Sequence, residues 1–574
     1  LGGSLHTCLI KDKTVLKKHC RIKSKQPDCF TNVIKLNKLV IRKIIFLISL
    51  FISTSLLSQQ NIELLGNLPY ANGLSDIWAY VDSSGTEYAL VAVKGSPGGN
   101  NGGLSVVSIA DPSDPVEVFF AAGTSSTWRD IKTYNGYAYV TTEAADGLMI
   151  VDLNGLPDTS SLTVNFYFDP LWITAHNLYI DENGIMYVFG AGNDSLGVDG
   201  VLFYDLNEDP LIPQFIGDYN VSYVHDGMAR GDTLYTANVY AGTFSIVDVS
   251  DPTNPIYLGG AETPASFTHN IWVSDDGNYV FTTDEVSDAF IASYDISNLD
   301  DIEEQDRIQF DPGSMTIVHN VHFLNEYLIT SYYMAGVTIH DVSDPSNMVQ
   351  TGHYDTNPLS GSGFNGAWGV TPFLPSGLIL VSDISQGLFV LEANYTRASR
   401  LEGKIRDGNN NNPIFNARVE ILNSEYNSID NSNVFGDYKT GIAEEGFFDV
   451  LVSKDGYLDV LVENVELINA EVTILDILMY PDISSSVLEE QLADLKLYPN
   501  PSSGFLTIDL PSNFELEPLD LKISDLAGRT VQEEVLTNRH NHISLDSKLE
   551  QGMYLLSLYA SDRALYTAKI KLVK

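Results

Sequence analysis

The sequence predicts an all-β chain: a seven-bladed β-propeller followed by two small β-sandwiches. Two observations predict the propeller. The stretch Ile317–Asn347, IVHNVHFLNEYLITSYYMAGVTIHDVSDPSN, recurs in degraded form seven times. Each copy but the last, which stops after its third, also reads as four short strands: a polar pair opening an apolar run, a β-rich run, a run ending mostly in Asp, and a fourth run after a turn, often DP. Aligning the opening pairs gives Ser75-Asp76, Arg129-Asp130, His176-Asn177, His225-Asp226, His269-Asn270, His319-Asn320 and Trp368-Gly369, spaced by 54, 47, 49, 44, 50 and 49 residues. A period of this size with four strands per unit is the mark of a propeller. A third observation predicts the sandwiches. From residue 397 the repeat stops, while short alternating strands with Gly and Asn turns continue.

The chain has 574 residues, too many for one core, so several domains are expected. Its formal charge is −43; the first 58 residues carry +9, which leaves −52 on the remainder. That balance argues against binding nucleic acid or an anionic membrane by charge, and it fits a soluble protein outside the cell. All three cysteines, Cys8, Cys20 and Cys29, precede the repeats, so neither disulfides nor thiolate metal sites are expected in the fold.

Residues 37–58 read as a signal peptide. Lys38, Arg42 and Lys43 form its basic region, Ile44–Leu57 its apolar region, and small residues near Ser55 and Ser58 suit cleavage before Gln59 or Gln60. The apolar run is shorter than the ~20 residues a membrane span needs. Residues 1–36 lie upstream of it, begin with Leu and show no pattern. They read as a start site placed too early, or a disordered extension, and are set outside the fold.

The propeller is expected over residues 59–396. Asn61–Pro69 is an isolated strand that matches the fourth strand of later copies, whereas the last copy stops after its third strand at GLFVLEAN. The first strand can therefore complete the last blade, pairing the two ends of the ring. The third strands are near-continuous apolar runs, among them Leu148–Asp152 (LMIVD) and Phe244–Asp248 (FSIVD). In these motifs the segment resembles the LVIVD-repeat family of surface propellers, some of them termed choice-of-anchor B proteins. The resemblance implies architecture and no particular activity. Asp152, Asp205, Asp248, Asp295 and Asp341 recur after the third strands, and a strand-end turn accounts for them.

Residues 397–481 are expected to form a small β-sandwich. Gly403-Lys-Ile, Pro413, Ala417-Arg-Val, Phe435-Gly-Asp-Tyr and Lys454-Asp-Gly-Tyr resemble the carboxypeptidase-regulatory-like module. The resemblance implies a spacer or adhesive support without a catalytic set. Asp407, Asn409 and Asn411 match the start of a calcium loop, but Arg418 stands where that loop needs an acid, so a turn is expected. Residues 482–494 form a polar linker. Residues 495–574 form a final β domain with Tyr498-Pro499-Asn500-Pro501, Gly504, Asp525, Gly528, Gly552 and Tyr554 in order, and a basic end. Together these resemble the type A C-terminal sorting domain of the type IX secretion system. The resemblance implies passage across the outer membrane of a Gram-negative bacterium, that system's machinery as a partner, and an extracellular or outer-surface location.

The chemistry is expected on one face of the propeller. His176, His225, His269 and His319 occupy one repeat position on four consecutive blades, at the start of the innermost strand. Strand direction alternates, so turns carrying Glu143, Asp284, Glu285 and Asp383 fall on the same face. Imidazole with carboxylate could hold a divalent metal ion or recognise a polar ligand such as a sugar. Alternatively, a polar residue repeated there ties neighbouring blades through the backbone. No GxSxG, HExxH or Walker pattern occurs, and no catalytic residue is assigned. The expected role is non-catalytic binding of a protein or glycan at the cell surface. The alternatives are a glycan-processing enzyme and a metal-capturing protein.

Overall fold

The computed structural model describes residues 59–574 except 97–98, 100, 193–199, 425–427, 483–491, 493, 513, 515–517, 527–528, 561–562 and 574. The expected leader, the upstream extension, most of the linker and Gly528 lie outside the described residues.

Among the described residues, positions 62–393 form seven sheets built on four antiparallel strands. They span residues 74–123, 131–167, 177–219, 226–262, 268–308, 321–354 and 367–393, and Ile62–Leu68 supplies the outer strand of the seventh. The sixth has Gln60 beyond its outer strand. Ile62–Leu68 pairs antiparallel with Gly387–Ala393, Ile62 opposite Ala393 and Leu68 opposite Leu388. The first strand of each sheet lies against the first strand of the next, and that of the seventh against that of the first.

In most of the sheets the third strand is buried and the outer strand is not, the sixth, whose outer strand Val349–Tyr354 is buried, being an exception. Leu148, Met149, Ile150 and Val151 of one third strand are fully buried, whereas Ile256 and Tyr257 on an outer strand are more than half exposed. A third strand covered on both faces is largely apolar, and an outer strand need not be. In six of the seven sheets the pairing of third and outer strand carries a register shift, as between Ile246 and Val247, that twists the outer strand. The turns after the third strands interlock with neighbouring sheets. A Cβ on Gly217 would come within 1.8 Å of the Pro252 carbonyl oxygen, and one on Gly66 within 2.2 Å of that of Pro112. The second contact joins the seventh sheet to the first. Asp152, Asp205, Asp248, Asp295 and Asp341 each accept the backbone N–H two residues on, so the recurring acids hold turns.

Residues 399–479 form two sheets around one core of Leu401, Ile405, Val419, Ile421, Tyr438, Val450 and Val452. Asp407 accepts the Asn409 N–H and the Tyr457 hydroxyl, so the calcium-like sequence is a hydrogen-bonded turn. The joint to the sixth sheet is charged. Fully buried Asp341 accepts the Ala398 N–H at 2.7 Å and pairs with Arg397 at 3.0 Å and Arg400 at 3.4 Å.

Residues 496–572 form a three-stranded and a four-stranded sheet over a Leu- and Ile-rich core. The expected sorting residues act as local anchors. Asn500 bonds the Lys569 carbonyl and the Lys571 N–H of the last strand, and the Tyr498 hydroxyl donates to Asp509 at 2.8 Å. Asp525 accepts from the Arg529 backbone, the Tyr554 hydroxyl donates to the Glu550 carbonyl, and Gly552 opens the strand Gly552–Ala560. Gly504 has φ of +124°, a conformation that favours glycine.

Candidate functional site

The seven opening pairs stand at the starts of the seven first strands. Because these strands adjoin in a closed series, the pairs converge on a common centre. The second members lie buried there. Asp130 accepts the Leu178 N–H at 3.2 Å, Asn270 accepts the Val321 N–H at 3.0 Å, and Asn270 donates to Asp226 at 2.7 Å. Each bond ties one sheet to the next.

Period-two alternation puts Lys132 on the same side of its strand as Asp130. Its ammonium lies 2.8 Å from Asp130, 4.0 Å from Asp76 and 4.6 Å from the centre of the Trp78 ring. Burial and the neighbouring Asp130 push Asp76 well above the usual carboxylate range. Burial works against ionising Asp130 too, but Lys132 and the hydrogen bonds it accepts hold it below the usual range. Asp226 is pushed up to about 6 by burial and by Asp130.

The first members form a row of imidazoles. Ring centres of His176 and His225 are 4.1 Å apart, those of His225 and His269 4.2 Å, and those of His269 and His319 4.3 Å. His225 Nδ1 lies 3.2 Å from the His269 carbonyl, and His319 Nδ1 lies 2.5 Å from the Trp368 carbonyl. A carbonyl can only accept, so both Nδ1 atoms carry the proton and both Nε2 atoms keep a lone pair. His269 Nδ1 is buried without a hydrogen-bond partner among the described residues. Burial and neighbouring imidazoles hold His225 and His269 well below the ordinary range, and burial pushes His319 down to about 3. All three rings are neutral at physiological pH.

Two of the expected acids join the row. Glu143 lies 2.6 Å from His176 Nδ1 at the more exposed end. Glu285 stands 3.7 Å from Nε2 of both His269 and His319, and it accepts the Tyr333 hydroxyl at 2.6 Å. Burial pushes Glu285 up to about 7. Asp284 and Asp383 do not join, which corrects the expectation from sequence. Asp284 accepts from Thr263 Oγ1 and from the backbone of Ala265 and Phe267. Asp383 accepts from Thr356, Asn357 and the backbone of Ser385 and Gln386. Both carboxylates are spent on holding loops.

Sequence reasoning did not assign Tyr333, Trp128, Trp368 or Lys94 to the site. Tyr333 follows the second strand of its sheet, as Glu143 and Glu285 follow theirs, and that shared position was the available signal. Its φ of +29° is rare for a bulky side chain. Trp368 packs 5.2 Å from His319, with the Lys94 ammonium 4.3 Å over its ring. The row borders a space of about 20 Å³, enough for one water-sized group. Beyond it, Trp128 lies 6.4 Å from His176, and Tyr223 touches both His225 and Tyr240. Phe364 packs on Tyr333. Trp128, Tyr240 and Phe364 are 42%, 77% and 62% exposed, an aromatic margin around a polar centre.

Known families cover both ends of the described chain. The LVIVD repeat matches residues 84–121, 127–169, 228–263 and 326–356. The secretion-system C-terminal sorting domain matches residues 496–573. The chain carries LVIVD repeats and a type IX sorting domain. That domain implies contact with the type IX machinery and export to the cell surface or the extracellular space. A comparison with curated proteins finds no match.

Proposed function

We propose that the LVIVD region is a seven-bladed propeller and that the exported chain is a non-catalytic binding protein, using the propeller face that carries the histidine row. The closed series of first-strand contacts supports the propeller. The observation that carries the binding role is the aromatic margin of Trp128, Tyr240 and Phe364 around a centre of neutral imidazoles and acids. Exposed aromatic faces beside hydrogen-bonding groups suit a glycan or a protein segment. In this reading the middle domain is a carboxypeptidase-regulatory-like spacer fixed to the propeller through Asp341, and the assembly is a choice-of-anchor B-type surface protein.

The test is binding of the purified exported chain to a glycan array and to extracellular proteins immobilised from the same culture. The expected result is saturable binding that weakens at least tenfold in a Trp128→Ala/Tyr240→Ala variant of unchanged melting temperature. Binding that survives both substitutions would overturn the assignment of this face.

A further inference from the structure

We propose that His269, His319 and Glu285 form a binding site for a divalent ion of the zinc class. Their donor atoms lie within 4.8 Å of one another, and Glu285 addresses Nε2 of each histidine from 3.7 Å. An ion held at about 2.1 Å by three tetrahedral donors needs them about 3.4 Å apart, so each 3.7 Å separation must close by about 0.3 Å and the widest, within 4.8 Å, by up to about 1.4 Å. Two imidazoles and one carboxylate suit zinc and its neighbours and disfavour calcium and magnesium, which take oxygen ligands.

Three features distinguish this set from a chance meeting of polar side chains. His319 spends Nδ1 on the Trp368 carbonyl, which fixes its tautomer and frees Nε2, the arrangement by which proteins orient a ligating histidine. Glu285 is oriented by the Tyr333 hydroxyl, the outer bond that a ligating carboxylate ordinarily receives. His269 is 3% exposed, and Nε2 is the ring nitrogen that it turns toward Glu285. The structural and ligand readings of the row are thus compatible, because the ties use Nδ1 and the proposed coordination uses Nε2. Three protein donors leave a fourth position for water or for a group on a bound partner.

The site deepens the reading of this face as a binding surface, but its test does not depend on any partner. The full exported chain, tag-free and stripped with chelator, is titrated with Co²⁺ and then displaced with Zn²⁺. The expected result is one Co²⁺ per chain with visible absorbance of low-symmetry coordination, displaced by Zn²⁺, and a Zn²⁺-dependent rise in melting temperature. Glu285→Gln, which keeps the side-chain shape, should weaken binding at least about 100-fold, and Tyr333→Phe about 10-fold. Far-ultraviolet circular dichroism and metal-free melting of each variant separate lost binding from lost folding. Absence of Co²⁺ absorbance in the folded parent would overturn the proposal, as would unchanged affinity in folded Glu285→Gln. If metal binds while the glycan and protein screens fail, the site stands and the broader reading falls.

Discussion

The Lys132 ammonium lies 2.8 Å from Asp130 Oδ1 at the centre of the LVIVD region, with 9% and 4% of the two side chains exposed. Removing one partner of so buried a pair leaves an uncompensated charge. Lys132→Met should therefore cost about 3–5 kcal/mol, read as a lower urea midpoint. Adding Asp130→Asn should recover part of that loss. Equal destabilisation by the single and double variants would mean that Lys132 acts through packing on Trp78 instead.

Asp341 holds the middle domain to the sixth sheet. Asp341→Asn should weaken its bonds to Arg397 and Arg400 and cost about 3 kcal/mol. Limited proteolysis should then cut faster between residues 394 and 400, while residues 399–479 retain their own protected core. Unchanged cleavage would show that the remaining contacts suffice.

Gly217 has no room for a side chain, because the atoms facing it, Pro252 O and C at 1.8 and 2.5 Å, are backbone. Gly217→Ala should part the third and fourth sheets and cost about 1–3 kcal/mol in denaturant unfolding. Gly231→Ala is the control, since nothing lies within 4 Å of that position although its φ of +55° is strained. It should show the smaller loss.

Asp306 gives a pH signature away from the histidine row. Burial pushes it up to about 7, helped by Asp430 and opposed by the Met348 and Arg307 N–H groups and by Lys439. The folded chain thus keeps a proton that the unfolded chain releases near 4. Folded protein binds more protons across that window, so this group's contribution falls as pH rises from about 4 to about 7 and is level below it. Asp306→Asn should flatten the melting temperature between pH 5 and pH 7.5 relative to the parent. A parallel profile would exclude the assignment.

The repeat period, the opening pairs and the strand shared between the two ends of the repeat region were legible because each is a local pattern with a fixed spacing. The membership of the site was only half legible. Asp284 and Glu285 are neighbours in sequence, yet one ties a loop and the other meets two imidazoles. A shift of a single residue at a strand end turns a side chain to the other face, and spacing alone does not fix that shift. Lys132 escaped notice although its partner Asp130 stands two residues before it, because only the sheet that brings Asp76 shows that the pair is buried. The expectation that the recurring acids hold turns rested on local hydrogen bonding, and local chemistry is what sequence displays best.

The pairing of Ile62 with Ala393 encloses all of the LVIVD matches. Whichever segment emerges first during export, one half of this seam must wait for the other, with the long-range contact that folds slowest left to the end. A chain cut short anywhere between them keeps an unsatisfied strand edge at each extremity, the kind of surface on which chains aggregate. The seam therefore works as a check on length. Only a chain whose repeats are all present can pair both edges.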